Sequence, residues 1–208
     1  MCEDYNCEYE LGDFLPISVG DTVPEVDFEA YIPAQDGQKE EIKNMNIADF
    51  NGKWLVLFFY PADFTFICPT ELEEMANTYE VFKKEGAEVV SVSTDTAFVH
   101  KAWHDSSDAI GKVTYPMAAD PAHVLSHLFG VHIADEGVAL RGTFIIDPEG
   151  VVRVAEIHDN SIGRSAKETL RKIQAAKFVA EHDGKVCPAS WVPGVDTLEP
   201  GLDLVGKI

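Results

Sequence analysis

A three-layer α/β domain is predicted by three observations. Short apolar runs of strand length alternate along the chain with segments of helical period. One of them, Trp54–Tyr60, is nearly unbroken in apolar residues, as a strand of a parallel sheet covered on both faces is. The pattern closes in two strands joined by Pro148-Glu149-Gly150, a hairpin-like turn. The chain of 208 residues, 46% of them hydrophobic, suits one such domain with extensions.

Taken in order, residues 1–18 read as an extension without strong periodicity. Val26–Ile32 alternates imperfectly and reads as a strand. Residues 33–53 hold Gly37, Gly52 and several charges, and read as loops with one short element. Trp54–Tyr60 is a strand that Pro61 stops. Thr70–Gly86 is a helix, with Leu72, Met75, Tyr79 and Phe82 at three- and four-residue spacing and Gly86 as its stop. Ala87–Ser93 is a second strand, and Thr94-Asp95-Thr96 starts a helix over 97–105 with Phe98 and Trp103 inward. Tyr115–Asp120 reads as a strand end and turn, Ala122–Phe129 as a helix, and Arg141–Asp147 and Val151–Ile157 as strands. The longest helix is Ser165–Glu181, whose apolar side carries Leu170, Ile173, Ala176, Phe178 and Ala180 and which ends at Asp183-Gly184. The tail after Cys187 is rich in Pro and Gly and reads as extended. The organisation is therefore an extension over 1–18, a domain over 19–183 and a tail over 184–208.

There are 36 acidic and 16 basic residues, a formal charge of −20. So acidic a surface argues against nucleic acid and anionic membranes as partners. No stretch reaches the length of a transmembrane helix, and the acidic start Met1-Cys2-Glu3-Asp4-Tyr5 lacks the basic and apolar regions of a signal peptide, so a cytoplasmic location is expected. In a reducing compartment four cysteines favour redox or catalytic roles over structural bridges. No GxGxxG or GxxxxGK[ST] pattern is present, and no bound nucleotide is inferred.

Cys68 stands where the apolar strand gives way to a helix. Pro69 suits the first helical position and pushes the residue before it out of the α region, so Cys68 is expected at the N-cap. A thiol there faces unpaired backbone N–H groups and the positive end of the helix dipole, which favour its thiolate. A free cysteine is commonly just a small buried apolar residue. Here strand, turn, the Thr65 hydroxyl three residues earlier, thiol and proline agree on a nucleophile. Its neighbours Asp63, Glu71, Glu73 and Glu74 oppose a thiolate, and no Lys or Arg lies between Lys53 and Lys83. A compensating cation must come from a distant part of the chain. Arg141, opening an apolar strand, and Arg164, at a helix start where the dipole disfavours a cation, are each either a surface charge or a group facing a site.

Cys187, just past the last long helix, is either an idle surface cysteine or, the favoured reading, a second thiol able to meet Cys68. Cys2 and Cys7 form a loose pair that could make a second disulfide, bind metal with ligands from elsewhere or do nothing; without nearby histidines it is a weak zinc pattern, and an incidental or accessory role is favoured. His100 and His104, and likewise His123 and His127, share i, i+4 spacing, but no third ligand follows in a recognised pattern. They read as solvated faces, with no metal site inferred.

Phe58-Tyr60-Pro61 through Thr65-Phe66-Ile67-Cys68-Pro69-Thr70-Glu71 resembles the peroxidatic motif of peroxiredoxins, P-x-x-x-[ST]-x-x-C. Val186-Cys187-Pro188 is similar to the resolving-cysteine motif of the typical 2-Cys class. Arg141-Gly142-Thr143-Phe144-Ile145-Ile146-Asp147-Pro148 resembles the strand that carries the family's active-site arginine. The ending Leu202–Ile208 is similar to the bacterial alkyl hydroperoxide reductase C branch. The resemblance runs from about Val19 to the C-terminus. It implies a thioredoxin-like fold, with a central mixed sheet flanked by helices, and a thiol peroxidase without metal, haem or flavin. It implies Cys68 as peroxidatic and Cys187 as resolving cysteine, joined between subunits as an intersubunit disulfide. Thr65 and Arg141 would hold and polarise the peroxide, Pro61 would shield the pocket, and Glu71 and Arg164 would support the network. It further implies a homodimer assembling to a decamer, and a reductant that is a thioredoxin-like protein or an NADH-dependent flavoprotein disulfide reductase. Eukaryotic-type members prone to overoxidation carry a GGLG loop and a Tyr-Phe tail motif; this chain has Ala109-Ile110-Gly111-Lys112 and ends in Gly206-Lys207-Ile208, so easy unwinding and resistance to overoxidation are expected. Two other readings compete: a thioredoxin-fold holdase with secondary peroxidase activity, and a protein disulfide oxidoreductase. The absence of C-x-x-C at Cys68 argues against the second.

Overall fold

The sheet is built outward from the apolar run over Trp54–Phe59. A computed structural model describes residues 15–35 and 37–207; Cys2 and Cys7 lie outside them. In chain order the elements are β1 (Asp27–Ile32), β2 (Glu41–Asn46), β3 (Trp54–Phe59), α1 (Cys68–Lys84), β4 (Ala87–Ser93), α2 (Ala97–Ser106), β5 (Met117–Ala119), α3 (Val124–Leu128), β6 (His132–Ile133), β7 (Val138–Ala139), β8 (Arg141–Ile146), β9 (Val152–His158) and α4 (Ala166–Glu181). Seven strands form one mixed sheet in the order β2-β1-β5-β4-β3-β8-β9, and β6 and β7 form a separate two-stranded pair. The centre, β3–β4–β5, is parallel. Both flanks are antiparallel.

Strand alternation divides β3 between two cores. Trp54, Val56, Phe58 and Tyr60 face one core with Leu72, Met75, Tyr79 and Phe82 of α1, Trp103 of α2 and Ile173 of α4. Leu55, Leu57 and Phe59 face the other, with Leu125 and Leu128 of α3. Burial on both faces explains why this strand lacks the polar alternation of a surface strand.

Four expectations need correction. Residues 33–53 contain a full strand, β2, which pairs along all of β1. Its sequence, Glu-Ile-Lys-Asn-Met-Asn, carries little apolar signal, because an edge strand is held by ladder bonds and leaves most side chains in water. The helix after Cys68 starts earlier than the N-cap argument allows. Ile67 occupies the cap with helical φ and ψ, and Cys68 is the first helical residue. The Ile67 carbonyl accepts from the Thr70 and Glu71 amides and the Thr70 hydroxyl, and so closes the first turn one residue ahead. Phe98 is 71% exposed, with Ala97, His100 and Trp103 forming the buried face of α2 instead. The tail is not extended. Val186 and Leu198 pair as an antiparallel bridge, and the Trp191 ring, 2% exposed, packs against Phe178 of α4. The Trp191 indole donates to the Val195 carbonyl and its own carbonyl accepts from Arg171.

Gly142 sits beside Arg141 in β8, where an added Cβ would lie 2.8 Å from Val131 Cγ1 and 3.0 Å from a Phe144 ring carbon. Gly142→Ala is expected to lower stability by about 1–3 kcal/mol through overpacking, measured by urea denaturation; an unchanged midpoint would show that the strand has room to spare.

Candidate active site

The site forms where β3 ends and α1 begins, closed over by β8. Arg141, Thr143 and Ile145 share one face of β8 by alternation, and Ile145 lies in the core covered by α1 and α4. The antiparallel register sets Thr143 opposite Phe58, so Arg141 lies toward the end of β3 from which the chain leaves for Cys68.

Cys68 is fully buried, with its Sγ 3.4 Å from Arg141 Nη1. The same Nη1 donates to Glu71 Oε2 at 2.6 Å, and Arg141 Nε donates to the Asn160 carbonyl at 2.9 Å. No hydrogen bond to the other terminal nitrogen of Arg141 is found among the described residues, which leaves it free for an incoming oxygen. Glu71 lies three residues past Cys68 in α1, on the same helical face. Its Oε1 accepts from the Arg164 backbone N–H and Nε at 2.7 and 2.9 Å, and its Oε2 accepts also from Arg164 Nη2 at 3.1 Å. Arg164 Nη1 donates to the Gly142 carbonyl and the Thr143 hydroxyl, and its guanidinium lies 3.5 Å above the Phe58 ring centre. Burial pulls Arg164 below the usual guanidinium value, and Glu71 opposes that pull.

Two buried guanidinium groups against one buried carboxylate leave one positive charge beside the sulfur. A thiolate at Cys68 completes neutrality, which is the remote compensation the local acidic sequence required. The other nearby acids are committed elsewhere. Asp63 bonds to Tyr60 and His100, and Glu73 pairs with Lys112. Thr65 points its proton at the Ala62 carbonyl, 2.9 Å away, rather than at the sulfur, so its oxygen lone pairs remain open to a donor. Pro61, which opens the loop, is buried.

Cys187 is not part of this cluster. Its thiol donates weakly to the Ala175 carbonyl of α4 at 3.8 Å. It lines a groove of about 560 Å³ with Arg153, Arg171, Lys172, Ala175 and Val179. α4 runs alongside α1, with Ser165 beside Glu74 at one end and Gln174 beside Glu85 at the other. At 1.5 Å per residue, Ala175 lies ~16 Å along α4 from Arg164. Both cysteines are free thiols.

Of the histidines expected on solvated faces, His127 is exposed and His104 and His123 are half-buried, while one departs from the expectation. His100 is fully buried, bonded through both ring nitrogens to Asp63 and the Ala118 carbonyl. The available signal was its place on the face of α2 shared by Ala97 and Trp103. The His132 ring lies tilted against those of His123 and His127, with ring centres 4.4 and 4.2 Å away. No group of three metal-ligating side chains is disposed to hold an ion among the described residues.

Comparison with known proteins agrees with this architecture. Residues 19–155 match the AhpC/TSA family, and residues 175–205 match the C-terminal domain of 1-Cys peroxiredoxin. Alkyl hydroperoxide reductase C of Pseudomonas aeruginosa is 59% identical over 157 residues, 76% of this chain and 84% of that protein. Its counterpart in Staphylococcus epidermidis is 54% identical over 175 residues, 84% and 93% of the two chains. The crystal structure of Enterococcus faecalis AhpC superposes with a TM-score of 0.77 at 44% identity, covering 84% of this chain and all of that one. The reduced 2-Cys peroxiredoxin of Plasmodium vivax gives 0.81 at 31% identity, covering 88% and 93%. The fold is thus the thioredoxin-like fold of peroxiredoxins. The chain belongs to the AhpC/TSA family and is a thiol-dependent peroxidase.

Two tests probe this geometry. Arg141→Ala removes a charge-assisted contact to the sulfur, so alkylation of Cys68 by iodoacetamide at pH 7 is expected to slow by about tenfold; an unchanged rate would remove Arg141 from that role. Burial raises the Cys187 thiol above its ordinary value, with Arg171 opposing. The docked tail therefore binds its proton more tightly than a released tail does. Docking is fully favoured below the ordinary thiol value and weakens as pH rises through the raised one. A red shift of Trp191 emission at alkaline pH, absent in Cys187→Ser, would report this; equal behaviour of the two proteins would refute it.

Proposed function

We propose that this enzyme reduces hydrogen peroxide and organic hydroperoxides at Cys68; alkyl hydroperoxides are the substrate its relatives are named for. The observation that carries the reading is the fully buried sulfur 3.4 Å from Arg141 in a cage with one surplus positive charge. The Cys68 thiolate attacks the nearer peroxide oxygen and the O–O bond breaks. The sulfur is oxidised to a sulfenic acid while the peroxide leaves as water or an alcohol after taking up a proton. Charge grows on the departing oxygen, where the unoccupied Arg141 N–H stabilises it. Thr65 orients the peroxide, Pro61 shields the pocket from water, and Glu71 and Arg164 hold Arg141 in position. These steps use only this chain's side chains.

Resolution follows at Cys187, whose thiol condenses with the sulfenic acid, releasing water and forming a disulfide. A disulfide needs Cα atoms within about 7 Å, and the docked Cys187 lies far along α4 from the Cys68 end of α1. That separation supports partnership with the Cys68 of a second subunit, after release of the tail and unwinding of the first turn of α1. Phe64, Phe66 and Phe98, on the Cys68 loop and on α2, are 57, 93 and 71% exposed. They favour self-association, with a homodimer assembling to a decamer as the arrangement the family resemblance implies. The reductant of the disulfide is a thioredoxin-like protein or an NADH-dependent flavoprotein disulfide reductase. No helix among the described residues is long and apolar enough to cross a membrane, and the reading places the enzyme in the cytoplasm. No specific observation favours the holdase alternative.

Cys68→Ser is expected to abolish peroxide consumption, and retention of substantial turnover would sink the assignment. Oxidised wild-type protein should run as a dimer on a non-reducing gel, and Cys187→Ser should remove that band. A dimer that persists in Cys187→Ser but vanishes in Cys2→Ser or Cys7→Ser would move resolution to the N-terminal pair. Sedimentation as a monomer at micromolar concentration under reducing conditions would refute the oligomer.

A further inference from the structure

The loop over residues 61–67, which carries the chain from β3 to Cys68, is tied to the body of the protein mainly through one buried side chain. Asp63 Oδ1 accepts from the Tyr60 hydroxyl at 2.7 Å, and Oδ2 lies 2.8 Å from His100 Nδ1. The Asp63 amide donates to Asp95 Oδ2 at 2.8 Å, and the same oxygen accepts from the Ser93 hydroxyl. The rest of the loop holds weakly. Thr65 bonds only within the loop, to the Ala62 carbonyl. Phe66 is almost wholly in solvent, and Phe64 rests on Trp103 with ring centres 5.8 Å apart.

His100 makes the tie directional. Its Nδ1 faces a carboxylate and its Nε2 faces the Ala118 carbonyl at 3.1 Å. A carbonyl only accepts, so Nε2 must carry a proton, and a second proton must lie between Nδ1 and Asp63. Both side chains are buried, and water cannot replace either bond without the loop opening.

The next residue is strained. Phe64 has φ of +55°, a left-handed conformation that a bulky side chain adopts only when its surroundings force it. Just beyond, Ile67 caps α1 without a side-chain hydrogen bond. Freeing Asp63 would let Phe64 relax and remove the support of the loop ahead of α1, leaving its first turn held by the bonds to the Ile67 carbonyl and by the grip of Arg141 and Arg164 on Glu71.

We propose that the buried Asp63–His100 pair is a latch on the Cys68 loop, and that its strength sets how oxidised Cys68 divides between disulfide and sulfinic acid. This rests on the peroxidase reading above. While the latch is closed the sulfenic acid stays beneath Arg141. There a second peroxide can oxidise it to the sulfinic acid, the peroxide again being reduced to water or alcohol. When the latch opens, the first turn unwinds and Cys187 reaches the sulfur, releasing water. Asp63 and His100 are positioning residues, since neither touches the sulfur.

The test measures the sulfinic fraction formed per turnover by mass spectrometry across a range of peroxide concentrations, in wild type, Asp63→Asn and His100→Gln. Loss of the charge-assisted bond is expected to favour the open loop and lower the sulfinic fraction by roughly tenfold. Tyr60→Phe, which spares the His100 bond, should give a smaller decrease. Folded variants that partition like wild type would overturn the latch while leaving the peroxidase reading intact. A wild-type protein that forms neither sulfenic acid nor disulfide would overturn both. Hydrogen exchange of the reduced wild-type protein supplies a measurement without variants. The Asp63 amide should exchange through the same opening as the Thr70 and Glu71 amides; continued protection of Asp63 while those two exchange would also overturn the proposal.

Discussion

Everything at this site depends on how one carboxylate, Glu71, is held. It sits 3% exposed between two arginines from opposite ends of the β8–β9 hairpin and its following loop, and accepts four hydrogen bonds from them. Breaking such a buried pair by removing one partner typically costs about 3–5 kcal/mol, because a charge is left uncompensated. The arrangement therefore locks α1 to β8 and fixes Arg141 over the sulfur. With both arginines and Glu71 counted, one positive charge remains, and Cys68 is the group beside it.

The same clamp creates a mechanical conflict. Holding Cys68 buried favours attack on a small oxidant, yet a buried sulfur at the start of a packed helix is out of reach of a second cysteine. The molecule separates these demands spatially. Glu71 and the arginines grip the helix at the end of its first turn, while the loop ahead of Cys68 carries exposed phenylalanines, a left-handed Phe64 and a single buried polar tie. In the proposed cycle the rigid part would serve oxidation and the lightly held part rearrangement. On the other side of α4, the tail is docked by Trp191 and by Arg171, so both halves of any disulfide start from closed positions.

Much of the sheet was legible because burial on two faces leaves a continuous apolar run, and Trp54–Phe59 has one. Helices α1 and α4 were legible from their spacing. The edge strand β2 was not, because its stability comes from pairing with β1 rather than from its own side chains. The reach of the tail was misread for a related reason. Pro and Gly report a broken helix or strand, but they do not report that Trp191 finds a pocket against Phe178.

By itself, the chain determined the strand-to-helix turn that presents Cys68, the presence of a second thiol at Cys187, and the need for a distant cation, since each follows from neighbours in sequence. Only the tertiary structure decided which cation answers that need and which acids are neutralised elsewhere. Arg141 and Glu71 are 70 residues apart, and Arg164 and Glu71 are 93 apart. Asp63 and His100 are separated by 37. Charge balance in a buried site is a sum over groups brought together by strand register and helix packing, and no local window of sequence contains all of its members.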